Sequence, residues 1–212
     1  MTTLAAFDHG SSLVLAQTGV DGKTNEITCF RPVLERLDLD DRVVTADALH
    51  TQREHATFLI EQKRAHYVLI VKKNQPSLYA QVKRLSWKLI PIQHRERDRG
   101  HGREERRTLK VITVTTGLLF PHAVQAMQIK RQVRDGKTGR WRTVTVYAIT
   151  DLPAWQAPPT ELAPRSAATG ASRTGFTTSA TSHTPKTTAR SAPATRPAPW
   201  PPCATSPSAP YA

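Results

Sequence analysis

An acidic residue stands at a position where α/β proteins place ligand and metal residues. Asp47 closes residues 42–47, a β-branched run that is typical of a buried strand. Carboxylates at the C-terminal ends of such strands line the crevice in which α/β folds bind ligands. A hard cation such as Mg²⁺ prefers several oxygen ligands, so Asp47 predicts a catalytic metal site only if further carboxylates join it. A helix N-cap is an equally open interpretation, because Asp is favoured there too.

Basic side chains form two clusters. Lys72 and Lys73 follow an apolar run, and six arginines lie between residues 95 and 107. The formal net charge is +13 at pH 7, which favours a polyanionic partner, since Lys and Arg neutralise phosphates. The residues expected to contact DNA are Lys72, Lys73, Arg103, Arg106 and Arg107. Glu104 and Glu105 lie inside the second cluster and are expected to form ion pairs with its arginines.

Other potential sites have simpler explanations. Residues 21–23, Asp-Gly-Lys, form a turn signal in which glycine supplies the positive φ. Three histidines do not share metal-ligand spacing on one helix face and are interpreted as surface or packing residues: His50, His55 and His101. The chain has only 2 cysteines, far apart, which argues against a disulfide framework and a cysteine zinc site.

The first part of the chain predicts a sheet flanked by helices. Residues 4–7 and 12–17 look like strands around an Asp-His-Gly turn, which indicates a hairpin. Residues 32–37 favour a short helix. A helix over residues 52–65 then joins the first buried strand to a second one at residues 67–71, and this β-α-β unit favours a parallel or mixed sheet.

The second part is predicted to be rich in strands. An amphipathic helix is expected over residues 77–87. Alternating runs follow at residues 109–115, 126–132 and 141–149. The last two runs are joined by the turn sequence DGKTG, which is typical of a β-hairpin.

The chain changes character after residue 152. Twelve of the 16 prolines and a single acidic residue lie in residues 153–212. Ala, Thr, Ser and Pro without hydrophobic periodicity bury too little surface to offset the lost chain entropy. We therefore expect a folded domain over residues 1–152 and a disordered tail over residues 153–212. The sequence lacks the apolar run of a membrane helix or a signal peptide, so we expect a cytoplasmic protein without a membrane partner.

Four segments between residues 3 and 155 carry a family pattern. In chain order they are LAAFDHGSSLVLAQTGVDGKTNEI, VVTADALHTQREHATFLIEQKRAHYVLIVKKNQPSL, GHGREERRTLKV and VYAITDLPA. They resemble the DDE transposases of insertion sequences of the ISAs type. The resemblance implies an RNase H-like α/β fold with a mixed sheet, flanking helices and a β-rich insertion from about residue 88. It also implies chemistry at DNA ends, in which three carboxylates hold two Mg²⁺ ions.

The resemblance assigns only one of these carboxylates to this chain. Asp47 matches the second. In family members the first lies on a strand that precedes the Leu4 strand, and the third is a Glu in a helix that reads like HWGIEN, shortly after ITDLPA. Neither has a counterpart in the sequence. We therefore expect an incomplete RNase H-like sheet, truncated at the N-terminus, and no metal-assisted strand transfer.

The tail sequence suggests why the third carboxylate is missing. Plausible codons for residues 168–174 encode HWGIEN when they are read from the last base of the first codon. Our hypothesis is a frameshift near Pro164, so that the tail is the catalytic helix region translated out of frame and the chain is a decayed gene product. Nucleotide sequencing of the locus tests it, because a locus without HWGIEN in any register contradicts the frameshift.

Three functions stay open on the sequence. The first is a DNA transposase fragment without catalytic activity. The second is a non-catalytic basic module that binds DNA, forms homo-oligomers or interferes with full-length transposase. The third is a Mg²⁺-dependent nuclease that uses Asp47 with Glu105 or Asp21.

Overall fold

The computed structural model describes residues 2–20, 23–100, 103–115, 117–136, 138–168 and 176–182. Its strands are β1 (Thr2–Asp8), β2 (Leu13–Val20), β3 (Arg42–Ala46), β4 (His66–Val71), β5 (His94–Gly100), β6 (Arg103–Thr113), β7 (Gln125–Arg134), β8 (Trp141–Thr150) and β9 (Phe176–Ser182). Its helices are α1 (Lys23–Glu35), α2 (Arg53–Thr57), α3 (Pro76–Arg84) and α4 (Pro159–Ala168). A 3₁₀ turn at Ala48–His50 precedes α2, and a π-helical turn at Phe58–Gln62 continues it.

The strands of the described residues form one mixed sheet in the order β2-β1-β9-β3-β4-β8-β7-β6-β5. β1 and β2 form the predicted antiparallel hairpin. At its turn, the carboxylate of Asp8 accepts hydrogen bonds from the backbone N–H groups of Gly10 and Ser11, each at 3.1 Å. β3 and β4 are parallel and are joined by the 3₁₀ turn, α2 and the π-helical turn, which confirms the predicted β-α-β unit.

The sheet carries an apolar core on each face. The core beneath α1, α2 and α3 includes Leu34, Leu59, Tyr67, Leu69 and Leu78. The core beneath α4 includes Val68, Ile70, Met127, Ala148 and Leu162. Successive residues of β4 therefore enter different cores, as expected for a strand that is buried on both faces.

Helix α1 is longer than its predicted length. Pro32 was expected near a helix start, where its missing N–H costs nothing, but it lies inside α1. The helix begins at Lys23 because the regular spacing of its buried side chains outweighs the helix-breaking effect of the proline. Glu26, Phe30 and Leu34 recur every four residues, and all three side chains are buried.

The charged stretch around residues 94–107 forms part of β5 and β6, an antiparallel hairpin that the sequence did not indicate. A strand is recognised by alternation of apolar and polar residues. Here both faces are polar, so the alternation is absent. The β-rich region expected from about residue 88 begins with β5 at His94.

The folded part extends beyond residue 152. Prolines 158 and 159 open α4, whose Leu162 and Ala163 are buried in the second core. β9 pairs parallel with β1 and antiparallel with β3. This corrects the predicted start of the tail. The prediction used composition averaged over sixty residues, and such an average does not reveal one short amphipathic helix or the backbone pairing of one polar strand. Residues 169–175 and 183–212 lie outside the described residues.

The predicted fold class is confirmed. A mixed sheet flanked by helices, with the strands of the β-rich insertion added at one edge, is consistent with a partial RNase H-like fold. In the described part of the chain, no helix combines the length and the apolar character needed to span a bilayer.

Candidate functional site

Asp47 follows β3 directly and caps the next element. Its backbone is extended, with φ −76° and ψ 179°, and its carboxylate accepts a hydrogen bond from the Leu49 N–H at 2.9 Å. Burial raises the pKa of Asp47, and the Leu49 N–H and the positive charge of Lys72 act in the opposite direction. The capping interpretation therefore matches the geometry, and the side chain also lies at the strand end that the sequence predicted.

Polar side chains tie together the two loops that follow β3 and β4. Since these strands are parallel, both loops lie at the same edge of the sheet. The hydroxyl of Thr51 donates to the Ile70 carbonyl at 2.5 Å, and the Asn74 amide donates to the Ala48 carbonyl at 2.6 Å. Gln75 donates to the side-chain oxygen of Gln52 at 3.2 Å. These contacts fix the loop that carries Asp47.

Sequence reasoning assigned no contact to these polar residues. A signal was present, because polar residues follow both apolar runs, in TADALHTQ and in KKNQP. Lys72 and Lys73 belong to the second of these loops and are exposed. Lys72 acts on the pKa of Asp47, so the structure brings one predicted DNA-contacting residue near the predicted carboxylate.

The outer ends of β5 to β8 form an antiparallel ribbon, which we call the arm. It comprises residues 95–100, 103–108, 130–134 and 141–145. Arg106 and Arg107 are neighbours on β6 and point to opposite faces of the arm. Arg103 opens β6 opposite Gly100, and its side chain lies outside the described set. The three predicted arginines therefore do not form one patch.

The two described arginines have different surroundings. Arg106 binds Glu104 at 2.9 Å, and its guanidinium lies 4.5 Å from the ring centroid of Trp141. Arg107 binds Glu105 at 2.5 Å. Glu105 is also held by Arg131 at 2.6 Å.

These ion pairs confirm the role expected for the two glutamates. The hydrogen bond from Arg106 lowers the pKa of Glu104. The hydrogen bond from Arg131 is the largest cause of the lowered pKa of Glu105. Both carboxylates therefore stay charged at neutral pH.

A family comparison decides where the chain belongs. The profile of the transposase DDE domain matches residues 1–188, most of the chain. The chain belongs to the transposase DDE domain family. No solved structure matches it.

Curated relatives of this transposase chain come from Escherichia coli. It is 38% identical over 76 residues to "Putative transposase YncI" of strain O157:H7, a match that covers 36% of this chain and 19% of the relative. It is 30% identical over 122 residues to "H repeat-associated putative transposase YbfD" of strain K12, covering 55% of this chain and 47% of the relative. The chain thus spans less than half the length of these relatives.

The residues described around Asp47 do not fit the Mg²⁺ site that the transposase resemblance implies. Among the residues that the structure describes, no three His, Cys, Asp or Glu side chains come together as metal ligands. One carboxylate oxygen of Asp47 is already used by the Leu49 N–H. A lone carboxylate supplies too few ligands for a hard cation.

Glu105 is too far from Asp47 to share a cation with it. Ala46, which precedes Asp47, lies in register with Ile112 of β6 across β4, β8 and β7. Glu105 lies seven residues further along β6, roughly 23 Å at the rise of a strand. The other suggested partner, Asp21, lies outside the described residues together with Gly22, so the predicted turn there does too.

The buried histidines of the transposase chain pack against an aromatic ring. The ring of Phe30 stacks on His50 at 4.9 Å and on His55 at 4.1 Å between centroids. Burial lowers the pKa of His50 to about 4. Packing, one of the two predicted roles, is therefore correct for this pair, and His101 lies outside the described residues.

Proposed function

We propose that this chain binds DNA as part of an insertion-sequence transposase and does not cleave DNA by itself. Membership of the transposase DDE domain family supports the first part. The geometry of Asp47 carries the second part. We propose that the chain binds this DNA in the cytoplasm.

The lack of cleavage follows from the ligand requirement of metal-assisted phosphodiester displacement. Two metal ions activate the nucleophile and stabilise the leaving oxygen, and several carboxylates must hold them. In this chain the Asp47 carboxylate accepts the Leu49 N–H at 2.9 Å. The described residues provide no group of three His, Cys, Asp or Glu ligands. Asp47 therefore acts here as a cap.

DNA binding is supported by the charge of the chain. The formal net charge is +13, and Lys72 and Lys73 are exposed at the sheet edge that carries Asp47. The arm adds a second group of exposed cations. Phosphate contacts by Lys and Arg release counterions, so the affinity falls steeply with salt.

Purified chain, mixed with a duplex that carries insertion-sequence ends, tests both parts. A gel-shift series at rising salt is expected to show binding that weakens steeply, and incubation with Mg²⁺ or Mn²⁺ is expected to leave the strands intact. Nicking that disappears in the Asp47→Asn variant contradicts the inactive assignment. An absence of binding at low salt contradicts the DNA-binding assignment.

The frameshift hypothesis extends this proposal to the origin of the chain. A decayed transposase that still binds DNA would compete with full-length transposase or mix with it as an oligomer. Adding the chain to an active transposition reaction is then expected to inhibit it. Inhibition that is relieved by excess non-specific duplex indicates competition for DNA, and inhibition that persists indicates mixed oligomers.

A further inference from the structure

The register of the arm sorts its side chains onto two faces. Directly opposed residues in an antiparallel ladder share a face, and successive residues along a strand alternate between faces. Arg106 lies opposite Arg97 and Gln132, while Arg107 lies opposite Glu96 and Arg131. We call these the Trp141 face and the Glu105 face after a residue that lies on each. Every described side chain of the arm is exposed or half-buried.

The Trp141 face carries a large positive excess. Among its described side chains, six are cations and one is a carboxylate, a net charge of +5. The cations are Arg95, Arg97, Arg99, Arg106, Lys130 and Arg134. The single carboxylate is Glu104, which lies within 4 Å of Arg97, Arg99 and Arg106. One carboxylate cannot neutralise the surrounding cations, so the face stays strongly basic.

The described side chains of the Glu105 face balance in charge, and the register adds one further cation to this face, Arg103. The described side chains contain three cations and three carboxylates. They are Arg107, Arg131, Arg142, Glu96, Asp98 and Glu105. Ion pairs join several of them: Glu105 binds Arg107 and Arg131, and Arg107 lies 3.7 Å from Glu96. Cations that already have carboxylate partners have little charge to offer a phosphate.

We infer that the Trp141 face of the arm is the surface that holds the phosphate backbone of duplex DNA, and that the Glu105 face does not bind it. This inference rests on the proposed DNA binding and specifies where it occurs. Arg95, Arg97 and Arg99 recur at every second residue of β5, about 6.7 Å apart. They present a row of guanidinium groups to a polyanion.

Trp141 orders one of these cations. Trp141 is 41% exposed, and the guanidinium of Arg106 lies over its ring. A cation–π contact of this kind restrains the guanidinium over the ring. Together with the bond to Glu104, it holds Arg106 on the face before DNA arrives.

The face continues towards the loop that carries Lys72 and Lys73. Tyr147 is the next residue on this face along β8, two positions beyond Thr145, and it packs against Tyr79 of α3 at 5.6 Å between ring centroids. Helix α3 begins at Pro76, directly after the lysine loop. Lys72, Lys73 and Arg106 thus connect to the same side of the sheet, whereas Arg107 lies on the Glu105 face.

Two triple variants with equal loss of charge test the inference. Arg95→Gln, Arg97→Gln and Lys130→Gln remove three cations of the Trp141 face. The control variants Arg36→Gln, Arg42→Gln and Arg64→Gln remove three exposed cations near the N-terminal ends of β3 and β4. Fluorescence anisotropy with a labelled duplex over a salt series measures the affinity. The first triple is expected to weaken binding about 10- to 100-fold and to reduce the salt slope by about two to three, and the control by less than about threefold.

A pair of single variants compares the two faces directly. Arg134 and Arg142 are both exposed and lie in adjacent rows of the β7–β8 ladder, on opposite faces. Arg134→Gln is expected to weaken binding several-fold and Arg142→Gln to leave it unchanged. Equal effects from the two triples, or from the two singles, overturn the face assignment. If the wild-type chain fails to bind at low salt, the proposed function itself is wrong.

Tryptophan fluorescence gives a second readout on the same face. Trp141 and Trp155 are both exposed, and Trp87 is buried. In a Trp200→Phe background, duplex DNA is expected to change the emission of the otherwise unchanged chain and of the Trp155→Phe variant, and to have little effect on the Trp141→Phe variant. An unchanged response in Trp141→Phe contradicts contact at the Trp141 face. Circular dichroism of each variant shows that it is folded.

Discussion

The centre of the sheet and the arm are organised by different forces. In the part built from β3 and β4, the strands are mostly apolar and buried on both faces, and the polar side chains that tie the two loops together follow the strand ends. In the arm, both faces meet solvent, and their described side chains differ in charge: those of the Trp141 face sum to +5 and those of the Glu105 face to zero. Burial therefore fixes the register of the core strands, whereas ion pairs and the hairpin turns order the arm.

The largest expected difference between the two parts concerns a buried and an exposed valine. Val68 of β4 is 0% exposed, and Val144 of the arm is 42% exposed. Val68→Ala is expected to lower the free energy of unfolding by about 2–3 kcal/mol, because it removes apolar burial and leaves a cavity. Val144→Ala is expected to change it by less than about 0.5 kcal/mol. Urea denaturation measures both, and equal losses contradict the contrast between core and arm.

The same contrast explains how much the sequence could predict. The β1–β2 hairpin, the β-α-β unit and the β7–β8 hairpin follow from local apolar patterns and turn residues, and all three are present. Asp47 was placed correctly at a strand end for the same reason. Hairpin β5–β6 was missed because charged residues occupy both of its faces.

The organisation of the candidate DNA surface depends on pairing between strands. Arg106 and Arg107 are neighbours in sequence and look equivalent there, but the alternation of β6 separates them. Arg134 and Trp141 join Arg106 only through the register of β7 and β8. Local sequence does not encode which residues face one another across strands, so this surface required the structure.

A partly buried ion pair at the start of β4 is expected to have the second largest effect. His66 hydrogen bonds to the Asp151 carboxylate at 2.5 Å, and the Asp151 side chain is only 7% exposed. His66→Gln is expected to cost about 1.5 kcal/mol of unfolding free energy, as is usual for a charged hydrogen bond. The control is His122→Gln, since His122 pairs with Glu61 and both side chains are well exposed. A similar loss in the control contradicts the role of burial.

The His66 pair also predicts a pH dependence. The hydrogen bond to Asp151 is the main cause that raises the pKa of His66. Its stabilising contribution is therefore fully present below the unfolded pKa of about 6.5 and is lost as the pH rises through the higher folded pKa. The stability gap between wild type and His66→Gln is expected to shrink from about pH 6 to about pH 9. A gap that widens over this range contradicts the assignment.

Variants of two capping carboxylates, one beside the core and one at the arm, are expected to have smaller effects on stability. Asp47 accepts from the Leu49 N–H, and Asp135, in the turn between β7 and β8, accepts from the Thr138 N–H at 3.0 Å. Asp47→Ala is expected to cost about 1 kcal/mol, whereas Asp47→Asn keeps the cap and costs a few tenths. Asp135→Ala, at an exposed turn, is expected to cost less than about 0.5 kcal/mol. A large loss with Asp47→Asn indicates that the negative charge, and not the cap, matters.

The smallest expected effects on stability come from the two glutamates of the arm. Their effects on DNA affinity, however, are expected to distinguish the two faces of the arm most sharply. Glu104 and Glu105 are sequence neighbours on opposite faces, and each pairs with arginines near the surface. Glu105→Gln is expected to change the unfolding free energy by about 1 kcal/mol or less, and Glu104→Gln is expected to have little effect on stability. Both variants remove one negative charge, but only Glu104→Gln releases Arg97, Arg99 and Arg106 towards DNA. Its affinity for duplex is therefore expected to rise severalfold, while that of Glu105→Gln stays within about twofold of wild type. Equal gains would mean that DNA senses only the total charge of the arm.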